Sequence, residues 1–217
     1  MLCPDYTVDL IRHAESLMNV AMADAEVPFI GGRENHIGLS QLGESQARSL
    51  GHFALDTSIT PTQLHCSPAV RSQRTCQLSA EVIGLVIPAN VDGRLQELDQ
   101  GVWTNQPRTT YDDPVNKAAM QAAGSDFAPP GGQSMNDVAD QMDSFFKSLS
   151  DSTDNGEHVW VHTHGVAIKA WLGRLCGWSH ERTYKTIIDN VAVTRVVNQS
   201  GFWQPVFINK PTAHMAT

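Results

Sequence analysis

The sequence predicts an α/β layered domain around a mainly parallel central sheet. Two observations carry this. Short aliphatic and β-branched runs alternate with longer segments of helical periodicity. Helix-starting residues follow several of those runs directly, as in strand–helix units. The same pattern continues on both sides of the polar stretch Ser148–Glu157, so residues 1–217 read as one domain.

Taken in order, Thr7–Ile11 (TVDLI) is a buried strand, followed by an irregular, glycine-bearing segment at Pro28–Leu39. Ser40 is the expected N-cap of a helix to about Leu55, with Leu42, Ala47, Leu50 and Phe53 at helical spacing. Gln63–Cys66 is a short strand. Ser67-Pro68 reads as an N-cap with proline at the first helical position, opening a helix to about Ile83. Val86–Val91 is a further strand, weakened by Pro88. Two stretches, about 20–38 and 104–130, are expected to be irregular loop or lid regions. Ser134 and Asp137 form a capping box before a helix carrying Val138, Met142, Phe145 and Leu149. His158–His162 is a core strand, Val166–Cys176 a helix, and Val191–Asn198 with Phe202–Ile208 a terminal strand pair.

Composition narrows the function. The chain is 41% hydrophobic and 18% charged, and a chain of its length buries roughly 70% of its unfolded surface. Its core therefore needs no metal or disulfide. Fifteen Lys and Arg against 23 Asp and Glu give a net charge of −8, which argues against a nucleic-acid partner or a polybasic membrane anchor. Cys3, Cys66, Cys76 and Cys176 lack CxxC spacing and read as reduced, mostly buried thiols. The first residues lack the charge and long apolar run of a signal peptide, and no apolar run is long enough to span a bilayer. A cytoplasmic protein is the expectation. Nothing in the sequence speaks to oligomeric state.

In a parallel α/β sheet, ligands bind beyond the carboxyl ends of the strands. Three such junctions carry unusual side chains: Arg12-His13 after the first strand, Ser67-Pro68 with Arg71 and Arg74 after the second, and Thr163-His164-Gly165 after the late strand. Together they offer guanidinium forks, imidazoles and helix N-termini, which suit a phosphoryl group. Each has an ordinary alternative, such as a turn histidine or an exposed helix arginine, and only the joint placement makes the case.

The quoted segments resemble the histidine phosphatase superfamily, with its phosphoglycerate mutase-like fold. LIRHAES at 10–16 is similar to that family's RHGE signature, and Asn19 follows at the spacing of its phosphate-binding asparagine. LSQLGESQA at 39–47, CSPAVRSQRT at 66–75 and LQELDQGVW at 95–103 resemble family segments in the same order. PPGGQS at 129–134, VHTHGVAIKAWL at 161–172 and DNVAVTRV at 189–196 continue the series. Departures are Ala14 for glycine, Gln133 for glutamate, Cys76 for alanine, and a longer segment at 20–38.

The resemblance implies a three-layer α-β-α sandwich and a phosphohistidine mechanism without a cofactor. His13 is then the nucleophile. Arg12, Asn19, Arg71, His164 and Gly165 bind the phosphoryl group. Glu97 protonates the leaving group and then activates water. Arg33, Trp103 and Arg108 are candidate rim residues, with Arg33 equally readable as a solvated loop arginine and Trp103 as a packing residue. Phe127, Trp178 and Tyr111 share that ambiguity. His162 forms an HxH pair with His164, but no further ligands have metal spacing, so it reads as a core histidine and no metal is expected.

Relatives that follow the second histidine with Asp are secreted acid phosphatases and phytases; here Gly165 follows. Mutases of the family carry extra cations and a tyrosine in a longer insertion after the acid. Residues 104–128 hold only Arg108 and Lys117 as cations, beside Asp112, Asp113 and Asp126. Hydrolysis of a small phosphorylated metabolite is therefore expected ahead of mutase chemistry, with a non-catalytic phosphate-binding regulator as the third reading.

Overall fold

The computed structural model describes residues 5–212. Cys3 lies outside them. The chain runs β1 (Tyr6–Arg12), α1 (Leu17–Asp24), α2 (Gln41–Asp56), β2 (Gln63–Cys66), α3 (Val70–Ile83) and β3 (Ala89–Val91). It continues with α4 (Pro114–Ala123), α5 (Met135–Ser150), β4 (His158–Thr163), α6 (Gly165–Leu175), α7 (His180–Lys185), β5 (Val193–Gln199) and β6 (Phe202–Lys210). The strands form one sheet in the order β3-β2-β4-β1-β5-β6. β3, β2, β4 and β1 are parallel neighbours, while β5 and β6 add an antiparallel hairpin beside β1. The expected mainly parallel sheet is observed.

Alternation along the strands sends side chains to two faces. Val8 and Leu10 of β1, with Val159 and Val161 of β4, pack against α5 and α6. Ile11, Leu64, Cys66 and Trp160 point the other way, into α2 and α3. The result is three layers. In the first, α5 presents Val138, Met142, Phe145, Phe146 and Leu149, and Phe146 stacks on Trp171 of α6 with ring centroids 3.9 Å apart. Central β1 also buries a carboxylate: Asp9 accepts two 2.8 Å bonds from Arg195 and lies 2.8 Å from His158 Nε2.

Several expectations are corrected. Ser67 does not cap α3; the helix starts at Val70 behind Ala69, with no side-chain cap. The Ser67 hydroxyl faces His164 instead. Residues 104–130 are not wholly irregular, because Asp113 caps α4 and Pro114 occupies its first turn. The segment at 20–38 begins inside α1, whose Ser16–Asn19 capping box lies within the motif at the end of β1. Pro88 shortens the third strand to Ala89–Val91, and β6 extends to Lys210. Among the described cysteines, Cys66 and Cys76 are buried and Cys176 is exposed, all unbridged. No helix of the described residues is long and apolar enough to cross a membrane.

Phe146→Ala should lower unfolding stability by about 3–5 kcal/mol, since it empties a large buried site and abolishes the Trp171 stack. Urea denaturation followed by tryptophan fluorescence reads this directly; a loss below about 1 kcal/mol would mean that α5 does not seal this layer.

Candidate active site

The parallel register sets the site. β1 and β4 pair Ile11 with His162 and Arg12 with Thr163, and β2 pairs Cys66 with His162. Pairing continues one residue further, with the His13 amide donating to the Thr163 carbonyl and the Ser67 amide to the His162 carbonyl. Three strands thus end level with one another. Their next residues, His13, Ser67 and His164, share one edge. The His13 and His164 rings lie 5.2 Å apart at 64°.

Arg71, in the first turn of α3, enters between them. Its Nε donates to His13 Nε2 at 3.2 Å, and one terminal nitrogen lies 3.3 Å from His164 Nδ1. A guanidinium has only donors, so both contacted imidazole nitrogens are acceptors. That assigns the tautomers. His13 carries its proton on Nδ1, which donates to the Ala14 carbonyl at 2.7 Å. His164 carries its proton on Nε2, which donates to Ser67 Oγ at 2.8 Å. Burial, reinforced by Arg12 and Arg71, pushes the His13 pKa well below the usual histidine value. Burial together with His13 and the neighbouring arginines does the same to His164. Both rings are neutral at pH 7, and His13 holds a lone pair on Nε2.

The loop holding His13 is fastened from three sides. Thr75 Oγ accepts from the Ala14 amide at 3.0 Å and donates to the Arg71 carbonyl at 2.7 Å, tying the loop to the arginine. Gln46 accepts from the Glu15 amide, and Ser40 donates to the Glu15 carboxylate at 2.6 Å. Gly43 explains the glycine in the 39–47 segment, because a Cβ there would sit 1.9 Å from the Glu15 carbonyl oxygen. Asn190 donates to the His13 carbonyl at 2.8 Å and lies 3.4 Å from Asn19 Oδ1. Asn19 Oδ1 also accepts from Ser16. With its oxygen so occupied, Asn19 has its amide NH2 free for the cavity that it lines.

Arg12 donates to the Ile188 carbonyl at 2.6 Å, but its Nε is buried with no protein partner. An unpaired guanidinium nitrogen beside two imidazoles and the start of α6 is a waiting anion contact. Gly165 opens α6 there, and a Cβ on it would touch Arg12 Cδ and Nε at 3.5 Å. Glu97 sits beside the same helix start, its Oε1 accepting from the Leu98 amide at 2.8 Å and its Oε2 from the Val166 amide at 3.5 Å. A cavity of about 540 Å³ opens over the group, and Glu97 is the one carboxylate among its lining residues. The arrangement can hold a phosphoryl group in line with an imidazole and offer a carboxyl beside it.

The rim differs in part from expectation. Arg33 does not line the cavity. It donates to the Glu97 carbonyl at 3.0 Å and to Gln133, bracing the Glu97 loop against the segment before α5. Trp103 is buried, packs on Tyr111 and Phe127, and borders a smaller neighbouring cavity rather than the main one. Trp178 packs against the α5–α6 core. Arg108 and Tyr111 do line the main cavity. Sequence reasoning missed Lys169 and the 184–188 segment, which form its outer wall. The signal available for Lys169 was its position one turn into the helix after His164-Gly165.

His162 points away from the cavity, into the layer with Trp160, and neither ring nitrogen has a partner. Among the described residues, no group of three or more His, Cys, Asp or Glu is placed to hold a metal ion.

The family model of the Histidine phosphatase superfamily (branch 1) matches residues 8–211. The chain belongs to this superfamily. A 2,3-bisphosphoglycerate-dependent phosphoglycerate mutase of Azorhizobium caulinodans is 28% identical, the match covering 76% of this chain and 79% of the relative. A phosphoglycerate mutase of Schizosaccharomyces pombe is 25% identical, covering 81% and 82%. Among solved structures, a mycobacterial glucosyl-3-phosphoglycerate phosphatase is similar with a TM-score of 0.75, 23% identity and coverage of 94% and 98%. A putative alpha-ribazole-5'-P phosphatase of Escherichia coli gives a TM-score of 0.77, 18% identity and coverage of 97% and 98%. The structural likenesses agree with the fold, and the superfamily's members are phosphatases and mutases.

Burial holds the His162 pKa at about 3, far below an unfolded histidine. Between that value and about 6.5 the unfolded chain binds the extra proton, so stability is lost as pH falls through this window. Replacing His162 by Phe should flatten the pH 5–6.5 stability slope by as much as about 1.4 kcal/mol per pH unit. Urea midpoints at pH 5, 6 and 7 measure it; equal slopes in the two proteins would refute the buried neutral ring.

Proposed function

We propose that the protein is a metal-independent phosphomonoester hydrolase that works through a phosphohistidine on His13. The observation that carries this reading is the Nε2 lone pair of a neutral His13, held by Arg71 opposite His164 under a cavity with a single carboxylate.

The substrate dianion displaces Arg71 from its ring contacts and takes its donors, with Arg12 Nε, the Asn19 amide and the first amides of α6 completing the cradle. A dianion beside His164 favours the imidazolium, which then donates from both nitrogens. His13 Nε2 attacks phosphorus as the P–O bond to the alcohol breaks, and Glu97 delivers a proton to the departing oxygen. Glu97 then takes a proton from water that attacks phosphorus. The P–N bond breaks, inorganic phosphate leaves, and the Nε2 lone pair is restored. General acid–base help of this kind contributes about 10²–10⁴ in rate.

The names of the curated relatives favour a second reading, a bisphosphoglycerate-dependent phosphoglycerate mutase. Two features support hydrolysis instead. The cavity has room well beyond a phosphoryl group and a three-carbon acid. Lys117 of the 104–128 segment is exposed on α4 and does not line it. By its name, the phosphatase among the structural neighbours acts on glucosyl-3-phosphoglycerate, a substrate larger than a three-carbon acid.

Para-nitrophenyl phosphate should be hydrolysed equally with and without EDTA, and His13→Ala should abolish turnover. Tight phosphate binding without turnover of any phosphoester would support a regulator instead. Glu97→Gln should lower kcat by about 10²–10⁴ for alkyl phosphates and less for para-nitrophenyl phosphate, whose leaving group needs little protonation. Incubation with 3-phosphoglycerate and a trace of 2,3-bisphosphoglycerate should release inorganic phosphate; accumulation of the 2-isomer would establish the mutase.

A further inference from the structure

We infer that Ser67 is a positioning residue for the reaction. Its hydroxyl oxygen holds the Nε2 proton of His164, keeping that ring oriented once the substrate draws Arg71 away. This rests on the hydrolase reading above, in which His164 becomes an imidazolium beside the bound dianion.

Ser67 and His164 are both fully buried, with Ser67 Oγ 2.8 Å from His164 Nε2. His164 occupies the N-cap position of α6 without making a side-chain cap bond. Among the described residues, its ring is hydrogen-bonded to Ser67 and Arg71 alone. Arg71 can only donate, so Nδ1 accepts and the proton lies between Nε2 and Ser67. Ser67 itself is aimed by the backbone. Its amide donates to the His162 carbonyl at 3.0 Å, and its Oγ accepts from the Ala69 amide at 3.3 Å. Pro68 restricts it to extended geometry.

The two contacts part company during the reaction. In the resting enzyme Arg71 and Ser67 grip the ring at opposite nitrogens. In the substrate complex Arg71 turns its donors to the phosphoryl oxygens, and Ser67 is left holding the ring. A hydrogen bond to an imidazolium is about twice as strong as one to a neutral ring, so the Ser67 contact tightens as His164 takes up its charge. A contact that strengthens along the reaction raises kcat more than it lowers KM. A neutral acceptor suits this place. A carboxylate would hold His164 charged before substrate arrives, against Arg12 and Arg71, whereas a hydroxyl accepts from Nε2 without forcing that charge.

Ser67→Ala removes the acceptor, and Ser67→Cys keeps the side-chain shape with a weak one. Both should lower kcat for para-nitrophenyl phosphate by about tenfold to a hundredfold, the worth of one hydrogen bond to a charged group, with KM changed by less than about threefold. Inhibition by orthovanadate, which adopts the five-coordinate geometry of transfer, should weaken by a similar factor, and inhibition by inorganic phosphate by less. Heteronuclear NMR of histidine-labelled enzyme reads the contact itself. The His164 Nε2–H, identified by its absence in His164→Asn, should be a protected downfield proton that moves upfield or vanishes in both Ser67 variants. An unreduced kcat in Ser67→Cys, or an Nε2–H unchanged in Ser67→Ala, would overturn the assignment. If the unsubstituted protein turns over no phosphoester, the hydrolase reading fails, while the vanadate affinities and the NMR signal still decide the role of Ser67.

Discussion

The structure depends on the register between β1 and β4. Ile11 beside His162 and Arg12 beside Thr163 fix where two strands, distant along the chain, come to an end. A one-residue slip of either strand would turn its histidine out of place and exchange the apolar faces of that strand. Register is specified by burial on both sides: Val8, Leu10, Val159 and Val161 must face α5 and α6, while Ile11 and Trp160 face α2 and α3. The hydrophobic pattern that builds the core therefore also sets the spacing of the two imidazoles.

Around that pair, sequence motifs have physical meanings of different kinds. Some supply chemistry, as with Arg71, whose donor-only guanidinium fixes both ring tautomers. Others hold geometry. Ser40, Gly43 and Gln46 fasten the Glu15 loop to the start of α2, and Thr75 ties Ala14 to Arg71. The 95–103 and 129–134 segments meet backbone to backbone: Gly101 adopts φ +50°, and a Cβ there would lie 2.3 Å from the Pro130 carbonyl oxygen. Arg33 spans from the first of these segments to the second, holding Glu97 in place. Glu97 is thus positioned by Arg33 and Gln133, neither of which lines the cavity.

Much of this was legible in the sequence, because strand ends in a parallel sheet share an edge and the unusual side chains sit at strand ends. The shared edge of the mainly parallel sheet and the meeting of Arg12, His13, Arg71 and His164 follow from that rule, while the three layers follow from the family resemblance. Other features were not legible for identifiable reasons. α1 has no buried residue, so it shows no amphipathic stripe. α7 is only His180–Lys185, too short for periodicity to register. Ser67 resembled a cap because serine before proline usually is one; its hydroxyl instead meets His164, at the junction of β4 and α6, which sequence distance hides. Trp103 and Arg33 have rim-like sequence positions, and only packing shows that one is buried and the other is a brace.

The central claim is that the reactive atom is Nε2 of His13, left without a proton because Nδ1 donates to the Ala14 carbonyl. Rapid acid-free quenching of the enzyme with a turning-over phosphomonoester, followed by peptide mapping and phosphorus NMR, tests it most directly. The account predicts an acid-labile, base-stable adduct on His13 with phosphorus on Nε2. An adduct on Nδ1, on His164 or on an oxygen nucleophile would contradict it.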